Sequence, residues 1–151
     1  MDNKDVFFRI LNQEMVYSTG CTEPAAISYT ASIAATELKK VGDDIKTIKL
    51  IASKNILKNA MSAGLPNSDK IGVRYAAGIG ALHGNPDKKL DVNNDVDAAT
   101  YDKAEEMIKK GLITVEVAKV PNVLYIEIII NGNAHEARAI IKDSHTNVTL
   151  I

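Results

Sequence analysis

Val123-Leu124-Tyr125-Ile126-Glu127-Ile128-Ile129-Ile130, then Asn131-Gly132-Asn133, then Ala134 to Lys142, is the stretch whose reading decides the fold class. Two runs rich in β-branched residues flank a turn whose Asn and Gly accept positive φ at little cost, which reads as a hairpin of strands 123–130 and 134–142. A further strand, Leu112 to Lys119, leads in through Val120-Pro121-Asn122, and Val148-Thr149-Leu150-Ile151 reads as one more. The chain before Leu112 has a different pattern, mostly apolar residues at helical spacing, with a single strand at Thr47 to Ile51. A helix-rich beginning joined to a strand-rich end predicts an α+β fold, with about five helices packed on one face of a mostly antiparallel sheet of four to five strands.

The helices are placed by their apolar stripes and their ends. Phe7, Phe8, Leu11 and Met15 predict a first helix from about Asp5 to Val16, broken by Ser18-Thr19-Gly20. A second opens at Thr22-Glu23-Pro24, because Thr can cap and Pro is tolerated in a first turn. Its stripe is Ile27, Ala31, Ala34, Leu38 and Val41, and Lys39-Lys40 before Gly42 marks its end. Ser53 heads a short helix carrying Ile56, Leu57, Ala60 and Met61, stopped by Gly64-Leu65-Pro66. Ile71 to Leu82 reads as a helix in spite of its glycines, since Gly72, Ala76 and Gly80 form a stripe of small residues that lets another backbone approach. Asp87 to Val96 is polar and irregular. Asp97 caps a helix that holds Tyr101, Ala104, Met107 and Ile108 and ends at Lys109-Lys110-Gly111.

Composition narrows the function. The 151 residues are 46% hydrophobic and 25% charged, which suits one domain over 1–151. Lys and Arg number 18 against 19 Asp and Glu, a net charge of −1, so the basic footprint of a nucleic-acid binder is missing. No apolar run approaches the ~20 residues of a membrane span. The polar start Met1 to Asp5 lacks the apolar core of a signal peptide. With one cysteine there is no internal disulfide, which predicts a cytoplasmic protein. A final apolar strand at Val148–Ile151 reads as the edge of one segment of a longer protein, open to self-association.

Three clusters are candidates for chemistry. Cys21 sits where a loop enters a helix, and a helix N-terminus lowers a thiol pKa and favours the thiolate that a nucleophile or metal ligand requires. The other reading of Cys21 is a small buried hydrophobe. Asn55 and Asn59, beside Lys54, share a helix face and offer amide donors to a carboxylate. Asparagine is a poor helix former, so two on one face need a reason, although a plain solvated surface is the alternative. Lys142-Asp143-Ser144-His145-Thr146-Asn147 is polar between apolar strands and places an imidazole that can titrate near neutrality, or forms an ordinary turn. His83 reads as a helix-end residue and His135 as a strand residue, packed or exposed.

Taken in order, Gly20-Cys21-Thr22-Glu23-Pro24, Lys54 to Met61, Gly64-Leu65-Pro66, Ala76 to Leu82, Gly84-Asn85-Pro86, Leu124 to Glu127 and Asp143 to Asn147 resemble the L-cysteine desulfidase family, related to the iron–sulfur L-serine dehydratase alpha chain. The resemblance implies a cytoplasmic lyase that eliminates the β-substituent of L-cysteine as sulfide, the aminoacrylate then hydrolysing to pyruvate and ammonia. It implies a 4Fe-4S cluster with Cys21 as a metal ligand, the remaining ligands lying in a C-terminal region outside this chain. With one cysteine where a cubane takes three or four, the chain alone is expected neither to hold an intact cluster nor to be active. Glu23, Lys54, Asn55 and Asn59 are the expected substrate-binding residues, Glu23 for the ammonium group and the others for the carboxylate. The catalytic base is unassigned. The alternatives are a serine dehydratase-like segment, which differs in leaving group, and a non-catalytic ligand-binding or regulatory domain. The expected partners are an amino-acid substrate, the rest of the same protein and a second copy of the chain, with neither nucleic acid nor membrane.

Overall fold

A computed structural model describes residues 6–11, 22–121, 124–142 and 149–150, with side chains for 23–121 and 124–142. In chain order the elements are β1 (Val6–Leu11), α1 (Thr22–Lys40), β2 (Thr47–Ala52), α2 (Lys54–Ala60), α3 (Val73–His83), a 3-10 segment (Pro86–Asp91), α4 (Ala98–Lys109), β3 (Ile113–Val117), β4 (Tyr125–Asn131), β5 (Glu136–Lys142) and β6 (Thr149–Leu150). The strands form a six-stranded sheet in the order β3-β2-β4-β5-β1-β6. The α+β class is as the sequence predicts, and the hairpin closes with Asn131 opposite Glu136. The sheet is mixed, however, and larger than expected. β2 and β3 run parallel, as do β1 and β5. Parallel partners need long crossovers, and α2, α3 and α4 supply the one between β2 and β3. β3 therefore does not neighbour β4, because β2 lies between them.

The helix expected from Asp5 to Val16 is corrected, since residues 6–11 are β1. Val-Phe-Phe-Arg-Ile-Leu is β-branched and aromatic, and it pairs with β5 from Val6 opposite Glu136 to Leu11 opposite Ile141. Pairing along six residues outweighs a short 3.6-residue pattern. Of the strand expected at Val148–Ile151, residues 149–150 form β6, antiparallel to β1 at Arg9–Leu150 and Ile10–Thr149, and Val148 and Ile151 lie outside the described residues.

One face of the sheet makes the core. Ile48, Leu50 and Ala52 of β2, Ile126, Ile128 and Ile130 of β4, and Ala137, Ala139 and Ile141 of β5 are fully buried against the helices. α1 lies over β4 and β5 and also touches α3 and the 3-10 segment. It is therefore buried almost all round, as a helix inside a core must be, and its stripe Ile27, Ala31, Ala34 and Leu38 is fully enclosed. Its buried hydroxyls find partners without leaving the helix layer. Thr30 Oγ1 donates to the Ala26 carbonyl at 2.8 Å. Ser28 Oγ donates to the Ala76 carbonyl of α3 at 2.6 Å and accepts from Asn93 Nδ2 at 2.8 Å.

The small-residue stripe of α3 works as read at Ala76 and Gly80. Gly72 instead precedes the helix at φ +105°, a backbone conformation that suits glycine. A Cβ on Gly80 would lie 2.3 Å from the Ser28 carbonyl oxygen and 2.5 Å from the Ser28 Cα. The two backbones meet with no room for a methyl group. α4 begins as predicted, with Asp97 Oδ1 accepting from the Thr100 N–H at 2.9 Å. No helix among the described residues is long and apolar enough to cross a membrane.

Gly80→Ala is therefore expected to destabilise the fold by about 1–3 kcal/mol or more through overpacking, although alanine is the better helix former. Urea unfolding checks this, and an unchanged midpoint would mean that α1 and α3 are not locked at this point.

Candidate functional site

β2 leads into α2 through Ser53, whose Oγ accepts from the Tyr125 N–H at 3.3 Å. α1 advances about 28 Å over its 19 residues and β2 returns about 20 Å over its 6. The chain thus turns back along α1 before α2 begins, and the two helices touch. α2 buries Ile56 and Ala60 and turns Lys54, Asn55, Lys58 and Asn59 to solvent. Glu23, in the first turn of α1, is half-buried. Of the expected site residues, Lys54, Asn55 and Asn59 therefore share the exposed side of one short helix, which touches the helix bearing Glu23. Cys21 lies outside the described residues, as do Asp143 to Asn147 with His145.

Among the clefts formed by the described residues are two that none of the expected site residues lines. One, of about 330 Å³, runs between α1 and the 3-10 segment past Tyr29, Glu37, Lys40, Asp87 and Lys89. The other, of about 590 Å³, opens on the sheet face turned away from the core and is lined by Ile51, Glu116, Val117, Lys119, Tyr125 and Glu127 among others. On that face Tyr125 donates its hydroxyl hydrogen to Glu127 Oε1 at 2.8 Å, and Arg138 Nε lies 3.4 Å from Glu127 Oε2. Burial, and then the bond to Glu127, push the Tyr125 hydroxyl above its ordinary pKa, so it remains a donor. Sequence reading passed over this group. Its signal was the charged residue interrupting an isoleucine run at Glu127.

The remaining titratable clusters hold structure together. Asp43, buried between α1 and β2, takes the hairpin loop in hand. Its carboxylate accepts from the backbone N–H groups of Asn133, Ala134 and His135 at 2.8, 2.8 and 2.9 Å, and from Asp44 N–H at 2.8 Å. The His135 ring nitrogen Nδ1 lies 2.9 Å from Oδ2. His135, expected in a strand, lies instead in the hairpin loop one position before β5 begins, where its ring packs against Asp43. Glu105 is lowered to about 2, first by Lys70 and then by Lys109 and Tyr75. His83 ends α3 with Nε2 3.4 Å from Asp95.

A cubane cluster fits this chain poorly. The sequence has a single cysteine, and no group of three or more His, Cys, Asp or Glu side chains is gathered for a metal among the described residues. Iron–sulfur chemistry would need cysteines supplied from outside the chain.

The chain is 38% identical over 148 residues to a UPF0597 protein of Clostridium perfringens, covering 98% of this chain and 34% of that protein. It is 37% identical over 145 residues to a UPF0597 protein of Chromobacterium violaceum (96% and 33%). A UPF0597 protein of Oleidesulfovibrio alaskensis is 33% identical over 142 residues (94% and 32%). The chain spans about a third of the length of these curated relatives. No family model matches it, and no solved structure does. The resemblance to the L-cysteine desulfidase and serine dehydratase families is accordingly corrected, because the relatives that cover the chain are UPF0597 proteins. The resemblance rests on seven short segments along the chain, of which Gly20 to Pro24 before an alanine-rich helix is the first. Pro24 is tolerated in a first turn and alanines behind it allow close packing, so neither feature is particular to one family.

The Asp43 anchor makes a pH prediction. Its hydrogen bonds, the one from Ala134 foremost, hold the carboxyl well below the usual carboxylate range. A folded-state pKa depressed in this way contributes stability above the unfolded value of about 3.9, and that contribution is lost as pH falls below it. Asp43→Asn is expected to lower stability at pH 7 and to flatten its decline below pH ~4, a decline shared with Glu105, Asp95 and Asp97. Thermal melts of both proteins across that range check it. An unchanged slope would deny Asp43 this role.

Proposed function

We propose that this chain is the amino-acid-binding part of a larger lyase that releases the β-substituent of L-cysteine as sulfide, with L-serine as the close alternative substrate. The observation that carries the reading is the solvent face of α2, where Lys54, Asn55 and Asn59 stand together on a helix in contact with the one that bears Glu23. Two asparagines on one helical face weaken the helix, and a ligand that needs their amides gives them a purpose. An amino acid presents a carboxylate and an ammonium group. Lys54 and the two amides donate to the first, and Glu23 accepts from the second.

Held at both ends, the substrate has its Cα–H and Cβ–S bonds fixed in direction, which lowers the entropic part of the barrier. A base then takes the α-proton, the C–H electrons form the Cα–Cβ double bond, and the C–S bond breaks to give sulfide. The aminoacrylate left behind tautomerises to an imine, which water hydrolyses to pyruvate and ammonium. The base and the group that receives the sulfide belong, in this reading, to the remainder of a protein of the relatives' length. A single cysteine suits the reducing cytoplasm as the compartment.

The test is sulfide and pyruvate release from L-cysteine by a protein of the relatives' length carrying this segment. Asn55→Ala is expected to lower kcat/KM by about tenfold or more, the usual cost of a lost hydrogen bond to a charged group. Because Asn55 is exposed, the thermal midpoint should stay put. Undiminished turnover in the variant would sink the reading.

A further inference from the structure

The cleft on the sheet face away from the core has no part in the reading above. Its floor is Ile51, which pairs with Glu116 of β3 on one side and Glu127 of β4 on the other. The three side chains therefore share one face, the two carboxylates two strand spacings apart, about 10 Å between Cα atoms. Glu127 is 8% exposed and oriented from behind, by the Tyr125 hydroxyl on Oε1 and by Arg138 near Oε2. A carboxylate offers about four acceptor positions, so this one keeps capacity toward the cleft. Glu116 is held by Lys49 at 3.3 Å. At the rim, Lys119 is exposed and makes no ion pair among the described residues. Beside the charges the lining is aliphatic, from Ile51 on this face and from Ala118 and Val120 in the loop that follows β3.

An oriented carboxylate and an uncommitted ammonium on one cleft, with aliphatic lining beside them, match a ligand that carries both opposite charges and a hydrocarbon side chain. The volume, about 590 Å³, is of the size that small-molecule sites occupy. We propose that this cleft is a second binding site, separate from the α2 face, for a zwitterionic α-amino acid with an aliphatic side chain. Glu127 takes the ammonium group, Lys119 the carboxylate, and Ile51 the side chain, with Ala118 and Val120 beside it. A ligand there spans β2, β3 and β4 and ties the loop at Ala118 to Val120 to the sheet, which is the position of an effector rather than of a reacting substrate.

The experiment is calorimetric titration of the protein with L-valine, and with n-butylamine and isovalerate as probes that each keep one charge. Saturable binding of L-valine is expected, with either single-charge probe at least about tenfold weaker. In the Asn55→Ala background, which disables the α2 face, L-valine should still bind, and Glu127→Gln and Lys119→Met should each weaken it by a similar factor. Lys119 is exposed and its substitution leaves the sheet intact, so that variant decides the matter if Glu127→Gln fails to fold. The proposal is overturned if L-valine does not bind, if n-butylamine binds as tightly, or if Lys119→Met binds L-valine like the parent. Loss of L-valine binding in Asn55→Ala would also overturn it, by moving the ligand to α2, whereas failure of this site leaves turnover at the α2 face untouched.

Discussion

The methyl-free contact between Gly80 of α3 and the Ser28 backbone of α1 is the constraint on which the rest of the molecule depends. It fixes how far each helix slides along the other, and the Ser28 hydroxyl bonded to Ala76 fixes how each is rotated. α1 lies on β4 and β5 while α3 reaches β2 and β3, so the helix pair spans the middle of the sheet. Alanines dominate α1 for the same reason, since larger side chains would push it off both neighbours. With α1 in place, the return of β2 sets where α2 can begin.

Buried charge is used sparingly and locally. Asp43 gathers the N–H groups of one hairpin loop, and its geometry is that of an anion in a nest of backbone donors. Glu127 is the contrasting case. It stands in the central strand and is braced by a tyrosine and an arginine, but it faces a cleft rather than a loop. A carboxylate so placed is costly unless partnered, and it is the least expected residue in an otherwise isoleucine-rich strand.

Local chemistry made much of this legible in the sequence. The Asp97 cap, the alanine stripe of α1 and the close approach at Gly80 each follow from residues near one another in the chain, and each is found as read. The Asn131-Gly132-Asn133 turn forms without the positive φ expected of it, Gly132 serving instead to admit the Asp43 carboxylate, which a Cβ would meet at 2.6 Å. β1 was misread because its pairing partner lies at residues 136–141, beyond the reach of any periodicity argument. The mixed sheet order escaped for the same reason, since nothing local says that β2 separates β3 from β4. For the site, the exposed face of α2 was visible in the spacing of Asn55 and Asn59. The cleft at Glu127 was not, because Ile51, Glu116 and Glu127 meet only through strand register. The family resemblance failed although it ran through seven segments, because features such as Pro24 in a first turn and an alanine-rich helix suit any closely packed helix.

The central claim is that the α2 face recognises an amino acid. The most direct measurement follows the side-chain amide resonances of Asn55 and Asn59 in labelled protein as L-cysteine is added. The account predicts saturable shifts in both amides, accompanied by Glu23 and Lys54. Amides that stay still while L-cysteine moves only residues around Tyr125 and Glu127, or none at all, would contradict it.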